Sequence, residues 1–299
     1  MIDVASDTGF RCGYAAIVGR PNVGKSTLLN RLVGQKVSIT SKKAQTTRYR
    51  VTGIVTTPTM QFAFVDTPGF QVRHRSRLND RMNRAVTQSL ADVDATLLVL
   101  EAGRTTDADR AVIRLLPTGA RAVVALNKID RQKDKDALLP QMAELAALFP
   151  FSAIVPVSAE KSEALDALLA EVGALLPTGP ALFGVDVVTD RDERFFAAEF
   201  IREKIFRLLG EEVPYATTVV IDQFVQQDAL RRIHATIYVD RANQRAILLG
   251  AGGGQMKEIA SSARTEMERL FGGAVFLEVF VRVKRGWADN EALLTRFGY

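Results

Sequence analysis

At 299 residues, 47% hydrophobic and 24% charged, the chain has the composition of a globular protein of about two domains at ~150 residues each. Its single cysteine, Cys12, excludes internal disulfides, and with only two histidines beside it an ordinary zinc site is excluded too; the longest uncharged stretches are 15 residues, short of the ~18 that span a bilayer, and the polar lead with Asp3 and Asp7 reads against export. The formal net charge of +5 is uneven: residues 1–180 carry 23 basic and 17 acidic side chains and residues 181–299 carry 16 and 17, while nine basic residues and no acidic one lie between Asp7 and Asp66, which suits a polyanionic ligand.

In chain order, an apolar run over 13–18, a Gly-rich turn and helical spacing at Leu28, Leu29 and Leu32 predict strand, loop and helix. Runs over 51–55 and 62–65 flank a polar turn and predict a hairpin. There follow a helix over 79–89, a strand over 95–100, a helix over 107–115, a strand over 122–126, a helix over 135–148, a strand over 153–157 and a helix over 162–176. Apolar strands alternating with helices predict an α/β fold, a mostly parallel sheet covered on both faces. Pro177-Thr178-Gly179-Pro180 reads as a linker, giving domains 1–180 and 181–299. Beyond it the spacing predicts a helix over 193–209, strands over 216–226 and 231–240, a Gly-rich loop over 250–254 between strand and helix, a helix over 255–270, a strand over 275–284 and a last helix over 290–296. That order, α-β-β-α-β-α, describes a compact α+β domain.

Gly19-Arg20-Pro21-Asn22-Val23-Gly24-Lys25-Ser26 matches G-x-x-x-x-G-K-[ST] between a strand and a helix, with Thr27 next in the helix. In that context backbone amides close around a β-phosphate, Lys25 reaches the β- and γ-phosphates, and the Ser26 hydroxyl ligates Mg²⁺. Asp66-Thr67-Pro68-Gly69 ends the second hairpin strand, where a carboxylate holds Mg²⁺ through water and a glycine amide meets the γ-phosphate; Phe70 follows. Asn127-Lys128-Ile129-Asp130 stands at the C-terminal end of a strand, where ligands bind in open α/β sheets. The Asp130 carboxylate can accept hydrogen bonds from N1 and N2 of guanine, which adenine does not supply, and the backbone of Ser158-Ala159, after the next strand, suits the guanine O6.

Taken in this order the motifs resemble the GTPase superfamily, which implies GTP or GDP with Mg²⁺ as ligands. Within Gln45-Thr46-Thr47-Arg48, in the loop where that superfamily carries its first switch, Thr47 is the candidate for the threonine that closes over Mg²⁺ and the γ-phosphate, with Thr46 the alternative register. Lys25 and Thr47 are the candidate catalytic groups. Phe70 stands where many signalling GTPases carry a water-orienting glutamine, so hydrolysis is expected to be slow or to use another device. Asn22 resembles the potassium-coordinating asparagine of cation-activated GTPases, which makes K⁺ a further candidate cofactor.

In the second half, Gly250-Ala251-Gly252-Gly253 looks like the GxxG loop of a KH domain, which clamps single-stranded RNA. With the segments Thr189-Asp190-Arg191-Asp192-Glu193-Arg194-Phe195, 202–215 and Val283-Lys284-Arg285-Gly286-Trp287-Ala288-Asp289-Asn290, the chain from 13 to 299 resembles the Era family of bacterial GTPases. That resemblance implies a GTPase domain followed by a type II KH domain. It further implies binding near the 3′ end of small-subunit ribosomal RNA during subunit assembly, as a cytoplasmic monomer with peripheral contact at the inner membrane face. The loop departs from the family in carrying no lysine, which shifts the expected RNA contacts to Gln255, Met256, Lys257 and Ile259. Arg282, Lys284 and Arg285 read either as phosphate contacts or as a solvated strand face, and Trp287 either as a base-stacking platform or as a core plug. The arginines at 73, 75, 77, 81 and 84 read as RNA or lipid contacts or as a solvated helix start. Two readings compete with this one: a related ribosome-assembly or tRNA-modifying GTPase would lack residues 185–299, and an RNA-binding module without turnover would share the whole chain.

Overall fold

The computed structural model describes residues 9–70, 76–134, 136–210 and 212–299; Asp3, Asp7, Arg73, Arg75, Lys135 and Glu211, which figure in the sequence reading, lie outside the described residues. By its contacts the chain forms two compact units. Among the described residues, the first comprises those of 9–38, 47–70 and 79–190, and the second those of 39–46, 76–78 and 191–299.

In the first unit β1 (Arg11–Val18) runs into α1 (Lys25–Val33), and β2 (Val51–Thr56) with β3 (Met60–Asp66) makes the hairpin. There follow α2 (Arg77–Ala91), β4 (Ala95–Glu101), α3 (Asp107–Ile113), β5 (Ala122–Asn127), α4 (Leu138–Leu148), β6 (Ala153–Val157) and α5 (Leu165–Leu175). The six strands lie in the order β2-β3-β1-β4-β5-β6, with β2 antiparallel to β3 and every other pair parallel. Ala15 to Val18, Leu97 to Val99 and Val123 to Leu126 have no exposed surface, as strands covered on both faces require. β1 has β3 on one side and β4 on the other, so the loop after β1 opens at the point where the strand order reverses, the usual ligand crevice of such sheets.

Two helix starts fall later than the periodicity predicts. Ser162 and Ala164 take positive φ (57° and 58°), which delays α5 to Leu165, and Asp136 N bonds the Asp134 carboxylate at 2.9 Å in a turn ahead of α4. Residues past the Pro177-Pro180 stretch stay with the first unit. Gln61 accepts from the amides of Leu182 and Phe183 (2.8 and 2.9 Å) and donates to the Phe183 carbonyl, while Asp190 accepts from the amide and hydroxyl of Thr52 (3.1 and 2.9 Å).

The second unit contains α6 (Glu193–Leu208), α7 (Glu212–Tyr215), β7 (Thr217–Gln227), β8 (Leu230–Val239), α8 (Ala242–Leu249), α9 (Gly254–Phe271), β9 (Ala274–Val283) and α10 (Glu291–Arg296). Its sheet runs β7-β8-β9, with β7 antiparallel and β9 parallel to β8. Alternate residues Ile233, Ala235, Ile237 and Val239 are fully buried, as are Ile201 and Ile205 of α6 and Ile259, Ala263 and Met267 of α9. One expectation is corrected here: the Gly-rich loop lies between two helices, α8 and α9, not between a strand and a helix. The eight residues of α8 bury only Gln244 and Leu248, so the sequence carries almost no helical periodicity there. Residues 39–46 also fold with this unit: Thr40 N donates to Glu203 of α6 at 2.9 Å, and Lys43 Nζ donates to the carbonyls of Phe206, at 2.7 Å, and Leu209.

Trp287 settles as a core residue. It is fully buried, its indole N–H donates to the Ala216 carbonyl at 3.0 Å, and its ring lies 6.0 Å from those of Phe297 and Tyr299. Trp287→Ala is therefore expected to destabilise the second unit by about 3–5 kcal/mol, the usual cost of emptying a large aromatic site, read as a lower urea midpoint in far-UV circular dichroism. An unchanged midpoint would contradict this packing.

Candidate functional site

The loop from β1 to α1 is held so closely that one of its positions excludes any side chain. Gly24 has φ 103°, and a Cβ there would lie 2.4 Å from the Asn127 side-chain nitrogen. Both the left-handed backbone and the close approach call for glycine. Lys25, the first residue of α1, is buried and turns its ammonium back onto the loop, donating to the carbonyls of Gly19 and Arg20, each at 3.0 Å. Burial lowers its pKa to about 8, partly opposed by the negative charge of Asp66. Pro21, Asn22 and Thr27 keep exposed or half-exposed surface, and Val23 is fully buried. Asn22 holds the left-handed conformation at φ 65°.

Asp66, the last residue of β3, is fully buried, and three hydroxyls converge on its Oδ2: Ser26 at 2.7 Å, Ser38 at 2.9 Å and Thr47 at 3.4 Å. Ser26 and Thr47 also bond each other at 2.7 Å. The second carboxylate oxygen, Oδ1, is buried with no hydrogen-bond partner. Burial pushes the Asp66 pKa up, against the opposing pull of Lys25 and of the three hydroxyls. Thr46, the alternative register, faces elsewhere, bonding the Ser41 hydroxyl and the Lys43 carbonyl at 2.7 Å each. Sequence reasoning missed Ser38, which stands in a loop without a motif. Thr67 is buried with its hydroxyl on the Ile17 carbonyl at 2.8 Å, Pro68 is buried, Gly69 is half-buried, and Phe70, also half-buried, packs against the apolar core.

The third group of residues gathers at the ends of β5 and β6. Asn127 donates to the Val23 carbonyl at 2.8 Å and accepts from the amides of Lys128 and Ala159 (2.8 and 3.0 Å). Lys128, at φ 69°, reaches the Asn22 carbonyl at 2.7 Å. Ile129 is buried, and Asp130 accepts from the Ser158 hydroxyl at 2.6 Å. All of these predicted residues except Thr46 therefore meet at the C-terminal edge of one sheet.

In the second unit Gly250, Gly252 and Gly253 take φ of 70°, 58° and 78°, which explains three glycines in four positions, and Ala251, Gly252 and Gly254 are exposed. Lys257 is exposed and Gln255 half-buried at the start of α9. Met256 and Ile259 turn into the core, Ile259 completely, so the surface of α9 beside the loop is formed by their neighbours. Arg282, Lys284 and Arg285 are exposed at and after the end of β9, and Arg77 and Arg84, within α2, differ in exposure from half-buried Arg81.

Residues 14–128 match the family described as 50S ribosome-binding GTPase, and residues 212–288 match the KH domain family. GTPase Era of Nitrosomonas eutropha is 54% identical over 294 residues, covering 98% of this chain and 99% of the relative. GTPase Era of Neisseria meningitidis is 52% identical over 292 residues, covering 97% and 95%. Two solved structures each superpose with a TM-score of 0.93 at 38% identity, covering 97% of this chain and 99% of the other. One is an Aquifex aeolicus Era tyrosine-to-alanine variant bound to GDP and tetrafluoroaluminate; the other is Era in complex with MgGDPNP and nucleotides 1506–1542 of 16S ribosomal RNA. With a GTPase unit followed by a KH unit, and relatives of this identity along nearly its whole length, the chain belongs to the Era family of GTPases.

Proposed function

We propose that the first unit binds GTP with Mg²⁺ and hydrolyses it slowly, and that the second unit grips the 3′ region of small-subunit ribosomal RNA during subunit assembly, with nucleotide state setting the strength of that grip. The observation that carries this reading is the convergence of Lys25, Ser26, Thr47, Asp66, Asn127 and Asp130 at one sheet edge, in a chain that also presents an exposed loop from Gly250 to Gly254. Phosphates lie along the amides of Gly19 to Thr27, and Lys25 leaves its carbonyl partners to meet the β- and γ-oxygens. The Asp130 carboxylate accepts hydrogen bonds from N1 and N2 of the guanine base, with Asn127 and Lys128 shaping the pocket and Ser158 and Ala159 closing it.

The residues around Asp66 fit a magnesium ion. Two hydroxyls and one carboxylate with an unpartnered oxygen are too few for an all-protein cage but suit an ion shared with nucleotide phosphates. Ser26 and Thr47 would hold it directly and Asp66 through water, and the ion supplies charge neutralisation at the β- and γ-phosphates. Thr47 would leave the carboxylate to do so, which would make its loop sensitive to the third phosphate. Phe70 offers no polar atom to orient water, so we assign the missing positive charge at the phosphates to a potassium ion held by exposed Asn22. Membrane contact, in this reading, is peripheral; among the described residues no helix is long and apolar enough to cross a membrane. The protein works as a monomer in the cytoplasm.

Three measurements test these assignments. Gly252→Asp, which puts a negative charge into the exposed loop, should weaken binding to an RNA copying the 3′ end of small-subunit rRNA by roughly tenfold or more while leaving RNA-free GTP hydrolysis unchanged; unchanged RNA affinity would remove the loop from the interface. Wild-type hydrolysis should run faster in potassium than in sodium, and Asn22→Ala should erase that difference. For pH the sign follows from Lys25: its pKa of about 8 without nucleotide is raised beside phosphates, so GDP affinity is full below pH 7 and declines as pH passes 8. Fluorescence titration should find GDP bound about tenfold more weakly at pH 9 than at pH 7, and a flat profile would contradict the role of Lys25.

A further inference from the structure

The phosphate loop and the base loop are tied by more than the contacts between their own residues. Glu101, the last residue of β4 and the register partner of Asn127, stands between them. Its Oε2 accepts from the Arg20 guanidinium at 2.7 Å, its Oε1 accepts from Lys128 Nζ at 3.0 Å, and Arg131 approaches the same oxygen at 3.8 Å. Arg20 is held a second time by Asp109 at 3.0 Å. Asp109 is itself fixed, its other oxygen accepting from the amide and hydroxyl of Thr106 (2.9 and 2.6 Å) in the box that caps α3. One carboxylate thus faces three cations, one from the phosphate loop and two from the base loop.

Its environment keeps Glu101 ionised. Burial pushes its pKa up, but the hydrogen bonds and charges of Lys128 and Arg20 outweigh burial and hold it below the usual carboxylate range. At side-chain exposures of 22%, 30% and 18% for Arg20, Glu101 and Lys128 these pairs are only partly screened, and removing the anion would leave two half-buried cations without their shared counter-charge. Lys128 is also a non-glycine residue in the left-handed region, a conformation that persists only where its surroundings enforce it. Its ammonium is anchored at two points, the Asn22 carbonyl and Glu101, and the next residue but one is Asp130. Slack at Glu101 would therefore pass to Asp130 through the base loop and to the phosphate loop through Arg20.

We propose that Glu101 is a positioning residue for nucleotide recognition: through Arg20 and Lys128 it locks the phosphate loop and the base loop into one rigid body, so that grip on the phosphates and discrimination of the base are gained or lost together. The proposal rests on the reading of these loops as the guanine-nucleotide site. It separates Glu101 from residues that touch the nucleotide, since both oxygens of its carboxylate are engaged by protein cations.

The test uses the full chain and two probes, GDP and inosine diphosphate, which lacks the 2-amino group that Asp130 would accept from. Dissociation rates of both are measured for wild type, Glu101→Gln and Glu101→Asp, together with nucleotide-free melting temperatures. Glu101→Gln keeps the shape and loses the charge; it should release GDP about tenfold faster, narrow the GDP-to-inosine-diphosphate ratio at least about threefold, and melt within about 2 °C of wild type. Glu101→Asp, which keeps the charge, should recover part of both effects. Wild-type rates in Glu101→Gln overturn the proposal, and so does an equal loss for both probes with a lowered melting temperature, which is what a merely structural role gives. A wild-type chain that holds neither probe would remove the reading of the site itself and the proposal with it, whereas wild-type discrimination retained in Glu101→Gln removes the proposal alone.

Discussion

A fully buried aspartate at the end of a central strand has to be satisfied by whatever surrounds it, and at Asp66 the surroundings come from three separate stretches of chain. Ser26 lies in the first turn of α1, while Ser38 and Thr47 stand nine residues apart in the loop that follows it, and all three place a hydroxyl on one carboxylate oxygen. An isolated buried carboxylate costs far more than those hydrogen bonds return unless its charge is also met. Lys25 supplies part of that compensation from the neighbouring loop, and the unpartnered Oδ1 marks where more is due. Most of the site's order follows from this one requirement, because the groups that compensate Asp66 are the groups a nucleotide would recruit.

The same carboxylate also bears on the second unit through the connectivity of the chain. Ser38 and Thr47 are the residues at which the chain leaves the first unit and returns to it; the stretch between them, 39–46, folds with the second unit, anchored by Thr40 and Lys43 on α6. Residues 191–299 carry 16 basic and 15 acidic side chains, and the stretch 39–46 adds Lys42 and Lys43 to the same unit.

Much of this was legible in the sequence because the signals were local. The α/β order, the Gly19 to Ser26 loop, Asn127 to Asp130 and the glycines at 250–253 each depend on a few neighbouring residues whose chemistry has few other uses. What was illegible depends on residues far apart in the chain. Ser38 gains meaning only once it meets Asp66, and Glu101, at the end of an apolar strand, only once it faces Arg20 and Lys128. Gln61, one polar residue in an apolar run, keeps residues 182–183 on the first unit well beyond the prolines. α8 leaves no clear period because it buries too few side chains, and the sequence does not tell that Met256 and Ile259 are the positions at which α9 packs inward on its sheet. Thr47 and Thr46 differ by one residue in register, which no composition or spacing rule separates; in the folded loop Thr47 bonds Asp66 and Thr46 bonds the Lys43 carbonyl.

The central claim is that nucleotide state, sensed at Asp66 and Thr47, sets the hold on RNA. Its most direct test is the affinity of the full chain for a short RNA copying the 3′ end of small-subunit ribosomal RNA, measured by fluorescence anisotropy with GDP and with a non-hydrolysable GTP analogue. The account predicts clearly tighter binding with the analogue. Equal affinity in the two states would contradict it, leaving a GTPase unit and an RNA-binding unit that share a chain without sharing a signal.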